Sequence, residues 1–216
     1  MVTLISALHS AFWTHIQCGD YAAAHAQLDE FAALADEKGA LYWKAWRNVL
    51  QGCLCALTGK SSDAVLIVTS GLTAFRPTQA KLHVPICLSF LAQAYAQLGQ
   101  FDDASRCIGE ATMVIAAGER WFDAEVNRIA GEIGLLSREP DAKAEAYFER
   151  AISVARQQQA KSWELRATMS MARLWRDQGK REEARDLLAP VYGWFTEGFD
   201  TLDLKEAKAL LDELSS

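Results

Sequence analysis

No stretch of this 216-residue chain approaches the ~18–20 uninterrupted apolar residues that a membrane span requires, which argues against a membrane protein. Its five cysteines (Cys18, Cys53, Cys55, Cys87 and Cys107) are odd in number and irregular in spacing. None forms a C-x-x-C pair, so neither a zinc knuckle nor a thioredoxin-type redox motif is present. They read as reduced thiols that serve as small buried hydrophobes. The opening Met1-Val-Thr-Leu-Ile-Ser-Ala-Leu-His lacks the basic region of a secretory signal, and a cytoplasmic location is expected. Basic charge is scarce too: the net charge is −6, whereas a nucleic-acid surface needs a concentrated positive footprint.

Catalytic and cofactor motifs are missing as well. Gly59-Lys60-Ser61 suggests a phosphate loop, but Leu54 stands where that pattern needs its first glycine, and an apolar helical segment replaces the required strand. His9, His15 and His25 are never four apart, and His83 stands alone. No set of three or four converging metal ligands is legible. There is no Gly-x-Ser-x-Gly elbow. The expectation is a non-enzyme without cofactor or metal.

What the chain does have is a phrase repeated every forty residues. Gly19-Asp-Tyr-Ala-Ala-Ala24 returns as Gly59-Lys-Ser-Ser-Asp-Ala64 and Gly99-Gln-Phe-Asp-Asp-Ala104. It weakens to Glu139-Pro-Asp-Ala-Lys-Ala144 and recovers as Gly179-Lys-Arg-Glu-Glu-Ala184. A fixed period of this size is the signature of a solenoid, in which each unit buries its apolar face against its neighbours. The expected units are 1–39, 40–79, 80–119, 120–160 and 161–198, forming one repeat domain over 1–216.

Each unit reads as helix, tight turn, helix. In the third, Leu88, Leu91, Ala92, Tyr95 and Leu98 mark one face of a first helix; Pro85 suits its first turn and Gly99 its left-handed end. Asp102 and Asp103 sit at the positive start of the second helix, whose inner stripe is Ala104, Ile108 and Ala111. Gly52, Ala92 and Ala172 leave room for close helix crossing. Larger residues recur in register: Tyr95, Leu135 and Trp175 in one series, Leu28, Val68, Ile108, Phe148 and Leu188 in another. Trp43 and Trp163 read as anchors between adjacent units. After the fifth hairpin, 202–214 reads as a capping helix, started by a capping box of Asp203 with Glu206.

The pattern Leu91-Ala92-x-x-Tyr95-x-x-x-Gly99-x-Phe101-x-x-Ala104 resembles the tetratricopeptide repeat, here with a period of forty rather than thirty-four. The stretch from Ala172 through Tyr192, Trp194 and Phe199 towards Leu214 resembles the end of bacterial multidomain regulators that join a cyclase domain, an ATPase and helical repeats; LuxR-type activators carry similar tails. The resemblance implies an all-α, right-handed solenoid of about five hairpins. It also implies that first helices line a concave groove, which would place His9, Trp13, Trp46, Cys53, Gln93, Gln97, Arg166, Arg173 and Arg176 towards it. Arg166, Arg173 and Arg176 follow one helix face. Such a ladder could grip an acidic peptide through paired hydrogen bonds, or simply pair with Glu164, Asp177 and neighbouring acids.

Charge is uneven along the chain. Residues 1–120 hold 8 basic and 10 acidic side chains, residues 121–216 hold 14 and 18. Residues 2–18 hold no Asp, Glu, Lys or Arg yet carry Leu4, Ile5, Leu8, Phe12, Trp13 and Ile16. Two readings stay open there: an apolar contact with an upstream domain or a second copy, or sufficient polarity from His9, Ser10, Thr14, His15 and Gln17. The functional expectation is a protein-interaction or scaffolding module of a signalling or transcriptional regulator that binds a protein or peptide, with no role on nucleic acid or membrane. The alternatives are a small-effector sensor and a homo-oligomerisation element.

Overall fold

The computed structural model describes residues 2–38, 41–78 and 81–216, and these hold eleven α-helices and no strand. The expected unit boundaries at 39–40 and 79–80 lie outside the described residues. In chain order the helices are α1 (Val2–Cys18), α2 (Tyr21–Lys38), α3 (Leu41–Leu57), α4 (Ser61–Phe75), α5 (Val84–Gln97), α6 (Phe101–Ala116), α7 (Asp123–Leu136), α8 (Asp141–Gln157), α9 (Lys161–Asp177), α10 (Arg181–Tyr192) and α11 (Leu202–Leu214). Single 3-10 turns follow α4 (Arg76–Thr78) and precede α7 (Arg120–Phe122). Residues 1–107 and 108–216 form two compact units. The fold is an all-α repeat array of helical hairpins.

The period is written into the second helix of every hairpin. These helices begin at Tyr21, Ser61, Phe101, Asp141 and Arg181, each forty residues after the last. The recurring Ala24, Ala64, Ala104, Ala144 and Ala184 are all buried, as are Leu28, Val68, Ile108, Phe148 and Leu188 one turn further on. Burying a large apolar side chain contributes about 1.5–3 kcal/mol, so this recurring layer carries much of each hairpin's stability.

The turn between the helices needs a left-handed residue. At Gly99 φ is 75°, its N–H donates to Ala96 O at 3.0 Å, and the following Gln100 N–H reaches back to Tyr95 O at 2.9 Å. This pair of bonds satisfies the last carbonyls of α5, and glycine enters the conformation without a Cβ penalty. The fourth hairpin solves the same problem differently. Arg138 takes the left-handed conformation at φ 58°, and Glu139 N–H closes the turn onto Gly134 O at 3.0 Å. Glu139 precedes Pro140, which biases it away from the helical region, so this turn is one residue longer.

The extra residue corrects the register expected for α7. Gly52 faces Val68, where an added Cβ would stand 2.8 Å from the Val68 backbone nitrogen. In the fourth hairpin the close-crossing position is Gly131, not residue 132: a Cβ there would stand 2.5 Å from Phe148 Cε1. The separation is seventeen residues instead of the sixteen between Gly52 and Val68 or Ala172 and Leu188. Leu135 is accordingly one residue out of register with Tyr95 and Trp175, although it still packs against the core of α8 and α9.

The anchors join neighbouring hairpins. Trp43 meets Phe31 edge to face with centroids 5.9 Å apart, and Trp163 lies 5.3 Å from Phe122. In α1, Ile5, Leu8, Phe12, Trp13 and Ile16 are buried inside the first unit, and Leu4 is exposed. The apolar face of α1 is therefore largely covered by its own chain. At the other end α11 places Leu204, Ala207, Leu210 and Leu214 in one core with Leu165, Met169, Ala172, Leu188 and Val191. The capping box does not form. Thr201 is the N-cap, placing Asp203 and Glu206 inside the helix, where both pair with arginines of α9.

Candidate functional site

The residues expected along the groove fall into two separate sets. His9, Trp13, Trp46, Cys53, Gln93 and Gln97 belong to α1, α3 and α5; Arg166, Arg173 and Arg176 belong to α9.

In the first set the aromatic residues gather, but inwards. Trp13 and Trp46 are 7% and 2% exposed. Trp13 Nε1 donates to His9 Nε2 at 2.9 Å. His9 in turn lies 5.7 Å from Trp46 and 4.8 Å from His83, centroid to centroid. His83 is buried just ahead of α5 with φ 65°, stacked on Trp13. Burial lowers the His9 imidazole to about 4; burial, and secondarily the neighbouring His9, lowers His83 to about 3. Both rings are neutral near pH 7, so the cluster is an apolar core with two imidazoles in it. Cys53 is fully buried, and the adjoining Cys87 thiol is pushed up by burial and by its hydrogen bond and charge interaction with Cys53. Gln93 is half-buried, while Gln97 is exposed and accepts a hydrogen bond from Ser61 Oγ. Of this set, His9 and the two glutamines have polar groups near the surface.

In the second set the arginines are engaged, mostly by α11. Arg166 Nε donates to Asp203 Oδ2 at 2.7 Å, Arg173 Nη2 to Glu206 Oε2 at 2.7 Å, and Arg176 Nη1 to Glu213 Oε2 at 3.0 Å. Arg176 Nε also reaches Asp177 at 2.8 Å. Glu164 is held instead by Arg156 at 2.8 Å and Lys161 at 2.6 Å. The ladder continues inwards to a network that the sequence did not disclose. Glu125, 3% exposed, takes two hydrogen bonds from Arg128 at 2.7 and 2.8 Å, and Arg166 Nη1 lies 3.7 Å away. Arg128 also pairs with Glu132, which accepts a hydrogen bond from Ser170 Oγ at 3.0 Å. Burial alone would raise the Glu125 carboxyl, but Arg128 and Arg166 hold it below the usual range. At Asp203 burial prevails over Arg166, and its carboxyl is raised. Carboxylates and guanidiniums thus tie α7, α9 and α11 together.

A cleft of about 470 Å³ opens between α2 and α4 over α3. Leu28, Ala32, Leu66 and Ile67 give it apolar walls; Arg47, Asn48, Gln51 and Ser70 give it hydrogen-bonding groups. No recurring motif marks these positions, which is why the sequence did not suggest them. Among the described residues no three His, Cys, Asp or Glu side chains converge as a metal site would need, and no helix is long and apolar enough to cross a membrane.

No curated protein matches this chain. The tetratricopeptide repeat family matches residues 85–110 and 165–190, the α5–α6 and α9–α10 hairpins, so the chain carries repeats similar to that family over those two segments.

Proposed function

We propose that this chain is a non-catalytic protein-interaction module of a signalling or transcriptional regulator of bacterial type, and that it binds a protein or peptide partner. The observation that carries this reading is the repeat itself. Hairpins recur at forty-residue spacing, and two of them match a repeat family whose members generally mediate protein–protein contacts. Packed helical hairpins offer extended surface at little conformational cost, which favours binding of another chain.

Cross-linking in the source cells followed by mass spectrometry tests it. One or a few proteins should cross-link repeatedly to lysines of this chain. Recovery of the chain with no recurrent partner would sink the proposal.

The cleft between α2 and α4 favours a second reading, a small effector held by Arg47, Asn48, Gln51 and Ser70. Its volume lies in the range of small-molecule sites. A thermal-shift screen of metabolite pools separates the two, because a ligand at 100 times its Kd adds about 2.7 kcal/mol of stability. A hit abolished by Gln51→Leu would support the effector reading.

A further inference from the structure

We infer that the cleft over α3 takes a small aliphatic monocarboxylate, with its carboxylate on Arg47, Asn48 and Ser70 and its chain laid along Leu28, Leu66 and Ile67. This inference rests on the effector reading of the cleft and names the chemistry of the effector.

The cleft is assembled from one turn of each of three helices, at positions 28, 29 and 32 of α2, 47, 48 and 51 of α3, and 66, 67 and 70 of α4. Two close crossings fix how α3 and α4 are aligned. An added Cβ on Gly52 would stand 2.8 Å from Val68 N, and one on Gly71 would stand 2.9 Å from Val49 N. In this antiparallel register Arg47, Asn48 and Ser70 lie at one end of the cleft, Gln51 lies between, and Ile67 and Leu66 lie at the other. On α2, Asp36 marks the Arg47 end, where the two side chains pair at 3.3 Å. Asp29 is seven residues back, roughly 10 Å along the helix and towards the leucines. The two ends therefore differ in chemistry.

The polar end suits an anion. Arg47 and Lys44 both reach Asp36 at 3.3 Å, so two cations share one carboxylate. Arg47 Nε and Nη2 also donate to Asn48 Oδ1 at 3.3 and 3.2 Å, longer than a guanidinium makes to a well-placed carboxylate. A ligand carboxylate would shorten those contacts, and Lys44 would keep Asp36 paired. Among the described residues the Asn48 amide nitrogen and the Ser70 hydroxyl make no hydrogen bond, and both can donate to an anion.

The other end suits a hydrocarbon chain. Leu66 is 72% exposed and Ile67 half-buried, facing the cleft with the buried Leu28. Covering that surface with an aliphatic chain removes it from water. Asp29 lines the same end, and its charge opposes a second carboxylate. The cleft thus selects a monoacid over a diacid of the same length.

Nitrogen–proton correlation NMR titrations of the full chain test this, with hexanoate, hexanamide and adipate as probes. Hexanoate should shift the signals of residues 47–51 and 66–70 and bind about tenfold more tightly than hexanamide, the gain of a charged over a neutral partner for Arg47. Adipate should bind more weakly than hexanoate. Arg47→Gln should erase the preference for hexanoate over hexanamide, and Leu66→Ser should weaken both. If Arg47→Gln unfolds the chain, Ser70→Ala on the exposed side of α4 replaces it, with a smaller loss of hexanoate binding. Equal affinity for hexanoate and hexanamide, tighter binding of adipate, or no shift with hexanoate overturns the inference. The effector reading is decided separately. A screening hit that Gln51→Leu abolishes but that carries no carboxylate keeps the cleft as an effector site and sinks the monocarboxylate alone. A screen without any hit at the cleft, together with hexanoate shifts that avoid 47–51 and 66–70, sinks both.

Discussion

The indole of Trp13 lies flat against the imidazole of His83, centroids 5.4 Å apart and planes within 6°. His9 closes on both rings from the side. Burial of this kind holds the two histidines in their neutral forms, because an imidazolium there would lose much of its hydration.

Acid sensitivity follows from that neutrality. The folded chain keeps His9 and His83 unprotonated down to about 4 and about 3, whereas both protonate near 6.5 once unfolded. Between those limits the unfolded state binds more protons, so stability falls as pH falls below 6.5. Each such group contributes up to about 1.4 kcal/mol per pH unit. Urea denaturation at pH 7.5, 6.5, 5.5 and 4.5 should show the loss, and His9→Gln/His83→Asn should flatten it. A profile unchanged by those substitutions would mean that neither imidazole governs acid stability.

Helix crossings set a second expectation. Gly52→Ala and Gly131→Ala would push a Cβ into Val68 and Phe148, and each should destabilise by about 1–3 kcal/mol despite the better helix propensity of alanine. Gly109, in α6 with nothing within 4 Å of an added Cβ, is the control. There Ala should stabilise by up to about 1 kcal/mol. Thermal melts of the three variants decide the matter.

Depth separates the ion pairs. Glu125→Ala leaves Arg128 with Glu132 and Arg166 with Asp203 but removes the buried carboxylate they share, and should cost about 1.5–3 kcal/mol. Arg173→Ala, which removes a half-exposed pair with Glu206, should cost no more than about 1 kcal/mol. Chemical denaturation midpoints at matched m-values would reveal a reversed order.

Thr168 is fully buried on α9, and among the described residues its Oγ1 finds no hydrogen-bond partner. Thr168→Val keeps the shape and removes the unsatisfied group, and should stabilise by about 1 kcal/mol. A drop in melting temperature would show that the hydroxyl has a partner in solution.

Much of the fold was legible because it repeats. Ala24 through Ala184 announced the second helices, since a buried crossing permits few alternatives to alanine. The shift of α7 was not legible: it depends on Arg138 accepting a left-handed conformation that glycine takes elsewhere, and no local preference of arginine signals this. The candidate site was harder. Placing Trp13 and Trp46 on a groove followed from family habit, whereas His83, distant in sequence, draws them into the core. The carboxylates that meet the α9 arginines lie 33 to 37 residues further on in α11, and pairing over such distances leaves no trace in local periodicity.

Trp175 donates through Nε1 to Glu145 at 2.8 Å and packs against both the α8–α9 core and the α9–α11 core. One side chain is thus common property of two adjoining cores. Loosening either core removes support from the same indole, so melting of the α8–α11 segment is expected to spread from one core to the next rather than stop between them. The fluorescence of that indole would register failure on either side as a single event.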